Sequence, residues 1–159
     1  MVIQTKNIGT ERSFKKIKYY CAYQERCHAE VKTKLYSYGL YKNEVEQIIS
    51  NLIEENYLNE ERFAIAFAGG KFRAKQWGKT KIKYELKQKQ ISDYCIKKAL
   101  NEITEEDYVK TIQKLATEKL AILKIEKNIF IKKNKLQNYL VGKGYEFDAV
   151  GKIIKELLP

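Results

Sequence analysis

One apolar spacing recurs three times along this chain, and it restricts the possible folds more than any other feature. With Leu35, Leu86 and Leu140 aligned, Val31, Ile82 and Leu136 stand four residues before them. Leu40, Ile91 and Tyr145 stand five after, and Val45, Ile96 and Val150 ten after. Ile48–Ile49, Ala99–Leu100 and Ile153–Ile154 follow at thirteen and fourteen, and Leu52, Ile103 and Leu157 at seventeen. Taking the first copy as template, the other two are apolar at every tested position. In a chain that is 44% hydrophobic, chance gives this about once in 10⁵ trials, and the repeat survives a hundredfold allowance for the register search.

The spacing translates into helices. Val31 to Leu35 is an i, i+4 step on one helical face. Gly39 and Gly144 fall where a helix ends on a left-handed residue, and Gln90 holds that place in the second copy. Val45, Ile48, Ile49 and Leu52 then trace the stripe of a second helix. Upstream, Phe14, Ile17, Tyr20 and Cys21 mark one further helix, Phe63, Ile65, Ala66 and Phe67 another, and Tyr108, Ile112 and Leu115 a third. Asn59 and Thr104 are expected N-caps, with acidic residues in the turns that follow. From Ala116 to Phe130 no break is legible, so the last of these helices is expected to run long. The only proline is Pro159, so nothing interrupts helices inside the chain. The expectation is an all-α fold of three tandem three-helix repeats in an elongated, curved array. Residues 1–11 are expected to form a flexible tail, followed by repeats at 12–56, 57–103 and 104–159.

The chemistry-bearing inventory is thin. There is one histidine, His28, and no serine lies in a GxSxG elbow. Gly78-Lys79-Thr80 mimics the end of a phosphate-binding loop, but Arg73 occupies the position of the required first glycine. The three cysteines, Cys21, Cys27 and Cys95, form no CxxC pair. Cys21, Cys27 and His28 lack the ligand number and spacing of a structural zinc site. No enzyme, metal or cofactor is expected. Apolar runs fall far short of the ~20 residues that span a bilayer, and no secretory signal is legible. The reading is a monomeric cytoplasmic protein with no membrane partner.

Charge is more informative. Lys and Arg total 31 against 20 acids, a net charge of +11. Residues 71–98 hold ten of the basic residues against Glu85 and Asp93, while residues 28–59 sum to −2. Phe72, Trp77 and Tyr84 are interleaved with the basic run, a pattern suited to gripping phosphates and stacking on bases. A solvated lysine face with Trp77 as a core anchor explains the same residues.

Three segments resemble the RecX family of regulatory proteins. Glu25-Arg26-Cys27-His28-Ala29-Glu30-Val31 is similar to its R-x-x-S-x-x-E-L motif. Tyr57-Leu58-Asn59-Glu60-Glu61-Arg62-Phe63-Ala64 is similar to its g-L-D-D-x-R-F-A signature. Trp77-Gly78-Lys79-Thr80-Lys81-Ile82-Lys83-Tyr84-Glu85-Leu86 is similar to G-x-x-R-I-x-x-E-L. Asn59-Glu60 replaces the aspartate pair, and Lys81 replaces an arginine, keeping charge without the planar fork. The resemblance implies a non-enzymatic modulator of the RecA recombinase. Such a protein lies along the groove of the RecA filament on single-stranded DNA and inhibits ATP hydrolysis and strand exchange. Arg62, Lys71, Arg73, Lys75, Lys79, Lys81 and Lys83 are the expected RecA or DNA contacts, with Arg62 and Phe63 alternatively holding repeats together. A rival reading is a basic protein that binds single- or double-stranded DNA directly and affects RecA only by competition. A third is a helical adaptor for an acidic protein.

Overall fold

The computed structural model describes residues 6–159 and is helical throughout. The helices are α1 (Thr10–Tyr23), α2 (His28–Ser37), α3 (Lys42–Glu54), α4 (Glu60–Lys75), α5 (Lys79–Gln88), α6 (Asp93–Asn101), α7 (Glu105–Ile122), α8 (Ile129–Gly142) and α9 (Phe147–Leu157). They form three consecutive three-helix units. Of the 21 repeat positions, all but Leu100, Ile154 and Leu157 are buried, and those three pack half-buried against the core.

The repeat is built around its turn. Gly39, Gln90 and Gly144 have φ of 81°, 62° and 102°, and their N–H groups donate to Tyr36, Lys87 and Val141 carbonyls, each at 2.9 Å. Ile91 and Tyr145 then donate back to Leu86 and Leu140 at 3.1 and 3.2 Å, the six-residue closure of a Schellman cap. This cap explains why apolar residues recur five positions apart: the residue beyond the turn must pack on the last helical turn. Gln90 takes the same left-handed conformation at an intrinsic cost of about 1 kcal/mol. Asn59, Ser92, Thr104 and Asn128 cap α4, α6, α7 and α8 with their side chains.

The core has two parts. Ile17, Cys21, Val31, Leu35, Leu40, Val45, Ile48, Ile49 and Leu52 fill the first unit, closed by Leu58 from the segment that leads into the second. A second core runs continuously through units two and three and reaches back to take in Cys27. The accessible surface is 10582 Å², against roughly 8,300 Å² for a compact protein of this mass, as an extended arrangement requires. No helix among the described residues is long and apolar enough to cross a membrane.

Three expectations need correction, and in α4 the buried face includes small residues beside those that marked the helix. The first helix begins at Thr10, inside the expected tail, and the segment before it is tied down. Ile8 N–H donates to Tyr38 O at 3.1 Å and Asn7 Nδ2 to Glu44 at 3.2 Å; residues 1–5 lie outside the described part. Ala66 is exposed, while Ala64 and Ala68 are fully buried, because α4 packs closely on α6 through small side chains. The long helix stops at Ile122, turns through a 3₁₀ segment at Leu123–Ile125 and restarts at Ile129. Asn128 Oδ1 accepts from the N–H groups of Phe130 and Ile131, which fixes that restart. Phe72 is core, 8% exposed, and not a surface aromatic.

Beside the buried Cys27, the joint between units one and two carries a polar network. Arg62 Nε donates to Glu25 Oε1 at 2.5 Å, Nη1 to Asn56 Oδ1 at 3.1 Å, and Nη2 to the carbonyls of Asn56 and Tyr57 at 3.1 and 3.4 Å. Asn56, at φ 61°, ends α3 in the left-handed conformation, so one guanidinium ties α1's exit, α3's end and α4's start together. Arg62→Ala is expected to cost about 1–3 kcal/mol in urea unfolding, and Arg62→Lys to recover little, since an ammonium has no fork. Wild-type stability in Arg62→Lys would show that charge alone holds the joint.

Candidate basic interface

Helix α5 is the centre of the basic region, and unit three determines where it points. The chain leaves α4 through Gln76 at φ 57° and reaches α5 through Trp77 and Gly78. Gly78 N–H donates to Lys143 O and Thr80 N–H to Gly144 O, both at 2.9 Å. The Tyr108 hydroxyl accepts from Lys79 N–H at 2.9 Å and donates to Glu146 Oε2 at 2.8 Å. Tyr145 Oη donates to Gln76 O at 2.9 Å. The first amides of α5, which a phosphate-binding loop would offer to its ligand, are therefore already taken by unit three. Beneath them the Phe72, Tyr108 and Tyr145 rings pack in sequence, tilted by 32° and 38°, with centroids 6.0 and 5.2 Å apart.

Burial pushes the Tyr108 and Tyr145 hydroxyls well above the ordinary phenol value of 10.0, and the neighbouring Glu146 carboxylate adds to both. Burial likewise raises the Cys21 thiol from 9.0 to about 11. All three shifts are upward, so their stabilisation is complete below pH 9. It is lost as the pH rises, because the unfolded chain ionises first. The melting temperature is expected to fall progressively above pH 9, with Tyr108→Phe flattening the part beyond pH 10. A flat profile from pH 9 to 11 would contradict these burials.

The i, i+4 period of α5 divides its lysines into two ridges. Lys79, Lys83 and Lys87 line one side of a groove of about 570 Å³ between α5 and α6, with Lys97, Thr80, Asp93 and Glu146. Lys87 pairs with Asp93 at 3.9 Å, whereas Lys79, Lys83 and Lys97 make no ion pair with any described residue. Lys79 Nζ lies 4.8 Å from the Tyr108 ring centroid. On the other ridge, the Lys81 ammonium lies 4.7 Å from the Trp77 ring centroid, and Lys71, from α4, brings its own to 5.3 Å of the same ring. Trp77 is half-buried against the core, so it anchors and carries cations at once. Tyr84 on α5 and Tyr94 on α6, 61% and 63% exposed, are the aromatics of this region open to stacking.

The seven residues singled out from sequence thus do not form one cluster. Lys79 and Lys83 share the groove, and Lys71 and Lys81 share Trp77. Arg73 and Lys75 are exposed on the last turn of α4. Arg62 stands apart at the joint of units one and two. Lys87 and Lys97 complete the groove and were not singled out; the spacing 79, 83, 87 was the available signal for the first. Lys143, whose Nζ donates to Lys75 O at 3.2 Å, comes from unit three, and nothing near the basic run in sequence points to it. Cys27 is buried and its thiol donates to Glu30 Oε1 at 3.3 Å, while His28 begins α2. Their roles are met by core and helix start.

A family model described as RecX, second three-helix domain, matches residues 59–100, the span of α4 to α6. The regulatory protein RecX of Clostridium perfringens (strain 13) is 33% identical over 129 residues, covering 80% of this chain and 60% of that protein. RecX of Bacillus licheniformis is 30% identical over 148 residues, covering 92% and 55%. The chain therefore spans about 60% of the length of the curated relatives it matches. The crystal structure of RecX from Lactobacillus salivarius superposes with a TM-score of 0.84 at 29% identity, covering 93% of this chain and 96% of that one. A further crystal structure of a regulatory protein RecX, 21% identical, shares the fold with a TM-score of 0.82. With its middle unit matching the family's own domain and its length matching a solved member, this chain belongs to the RecX family.

Proposed function

We propose that this protein is a non-enzymatic regulator of the RecA recombinase that binds the RecA filament on single-stranded DNA and restrains its ATP hydrolysis and strand exchange. Family membership supplies the partner. The observation that carries the reading is the open α5–α6 groove of about 570 Å³, lined by three lysines, Lys79, Lys83 and Lys97, that make no ion pair with any described residue. The second core lies beneath α5, and the Arg62 network, the Lys89–Glu30 pair and Cys27 join unit one to it.

Binding to bare DNA is the competing reading, and the same groove supports it. Four phosphate contacts on single-stranded DNA would give a log–log salt slope of about −2.8, a roughly fifty-fold loss between 50 and 200 mM salt. Co-sedimentation with RecA–DNA filaments and with naked DNA across that range separates the two. Filament binding with the shallower slope is the expected result; equal affinity and equal slope on both would identify a DNA binder.

A further inference from the structure

The third unit carries an elaboration that its repeat does not require. In the alignment of the copies, α2 and α5 begin at positions equivalent to residue 133, but α8 begins at Ile129, one turn earlier. That added turn is Ile129, Phe130, Ile131 and Lys132. Phe130 is 75% exposed, and from the preceding turn Ile122 and Ile125 are 72% and 91% exposed. Ile129 and Ile131 are also exposed. Five large apolar side chains thus stand in solvent within ten residues, a cluster of the kind that marks an interaction site.

The charge around this tip is one-sided. Between residues 118 and 135 there are six lysines, at 119, 124, 127, 132, 133 and 135, against Glu118 and Glu126. Glu126 is already engaged, accepting from Asn128 N–H at 3.0 Å and pairing with Lys135 at 3.8 Å. Three consecutive apolar residues at a helix start project around the axis, about 100° apart, so the tip is a knob and not a flat stripe. An in-plane membrane helix needs a stripe. Self-association through a lysine-rimmed knob is opposed by the net charge of +11.

We propose that the α7–α8 tip inserts into an apolar pocket rimmed by carboxylates on a protein partner, independently of the groove that meets DNA. This rests on the reading above, in which that protein is the recombinase. The test is binding to DNA-free RecA, to single-stranded DNA and to vesicles of phosphatidylcholine with phosphatidylserine, comparing wild type with Ile125→Ser/Phe130→Ser. Both side chains are exposed, and an unchanged melting temperature checks the fold. The expected result is at least tenfold weaker binding to RecA with unchanged DNA binding, and a similar loss for Lys127→Glu/Lys132→Glu. Wild-type affinity of both variants for RecA would overturn the tip proposal and leave the regulator reading standing. Failure of the wild type itself to bind RecA in any form would overturn both. Loss confined to vesicles, or a wild-type dimer that becomes monomeric in the serine variant, would reassign the tip to lipid or to a second copy.

Discussion

Gly78→Ala should unfold or uncouple the second half of this protein, at a cost of about 3 kcal/mol or more. A β-carbon at Gly78 would overlap the carbonyl carbon and oxygen of Gly144 and the amide of Tyr145. These are backbone atoms and cannot rotate away, unlike the end of a flexible side chain. Relief requires separating the α4–α5 connection from the α8–α9 turn. That breaks the Gly78–Lys143 and Thr80–Gly144 hydrogen bonds, each worth about 1 kcal/mol, and opens the tilted Tyr108–Tyr145 contact below. Gly151→Ala is the control. Nothing lies within 4 Å of its added β-carbon, and it sits inside α9, so alanine should stabilise by about 0.5–1 kcal/mol. Urea unfolding of the two variants reads the contrast directly. Equal stability in Gly78→Ala would mean that units two and three are not joined through this seam.

The second large effect is expected from reversing the groove charge. Lys83→Glu/Lys87→Glu/Lys97→Glu changes three exposed side chains and touches neither the Tyr108 network nor the Trp77 face. If each lysine meets one phosphate, the salt slope on single-stranded DNA should flatten by about 2, and affinity at 50 mM salt should fall at least a hundredfold. Filament binding should weaken in the same variant. Lys71→Glu/Lys81→Glu, on the Trp77 side, is the comparison. A larger loss there would move the contact surface to the Trp77 side. Undiminished binding in both would remove α5 from the interface.

Much of this fold is legible in the chain because its repeat is written in residues with one strong preference. Val31, Leu35 and Leu40 and their counterparts are apolar because a Schellman turn and two helix faces must all be covered. Gly39 and Gly144 announce that turn through the one conformation it needs. Gln90 hides the same turn, since a residue that tolerates strain leaves no compositional mark. Ala64 and Ala68 are illegible for the opposite reason: alanine suits exposed and buried helix positions equally, and only the approach of α6 separates them from Ala66. The break after Ile122 lies among good helix formers, and its one local signal is the capping Asn128.

The candidate interface is less legible than the fold. A run of lysines shows that a region is basic, but three-dimensional phase decides which lysines act together. Lys79, Lys83 and Lys87 separate from Lys81 because α5 turns 100° per residue. Arg62 stands out through the signature at Tyr57–Ala64, which leaves a contact role and a structural role both open. Its partners, Glu25 and the Asn56 and Tyr57 carbonyls, come from segments that only the packed joint brings to it.

DNA-dependent ATP hydrolysis by preformed RecA filaments tests the central claim most directly, with this protein titrated far below the concentration of DNA sites. Action on the filament predicts suppression at such substoichiometric amounts, persisting when extra single-stranded DNA is added and weakened in the groove variant. Suppression only as the protein approaches saturation of the DNA, or none at any ratio, would contradict it.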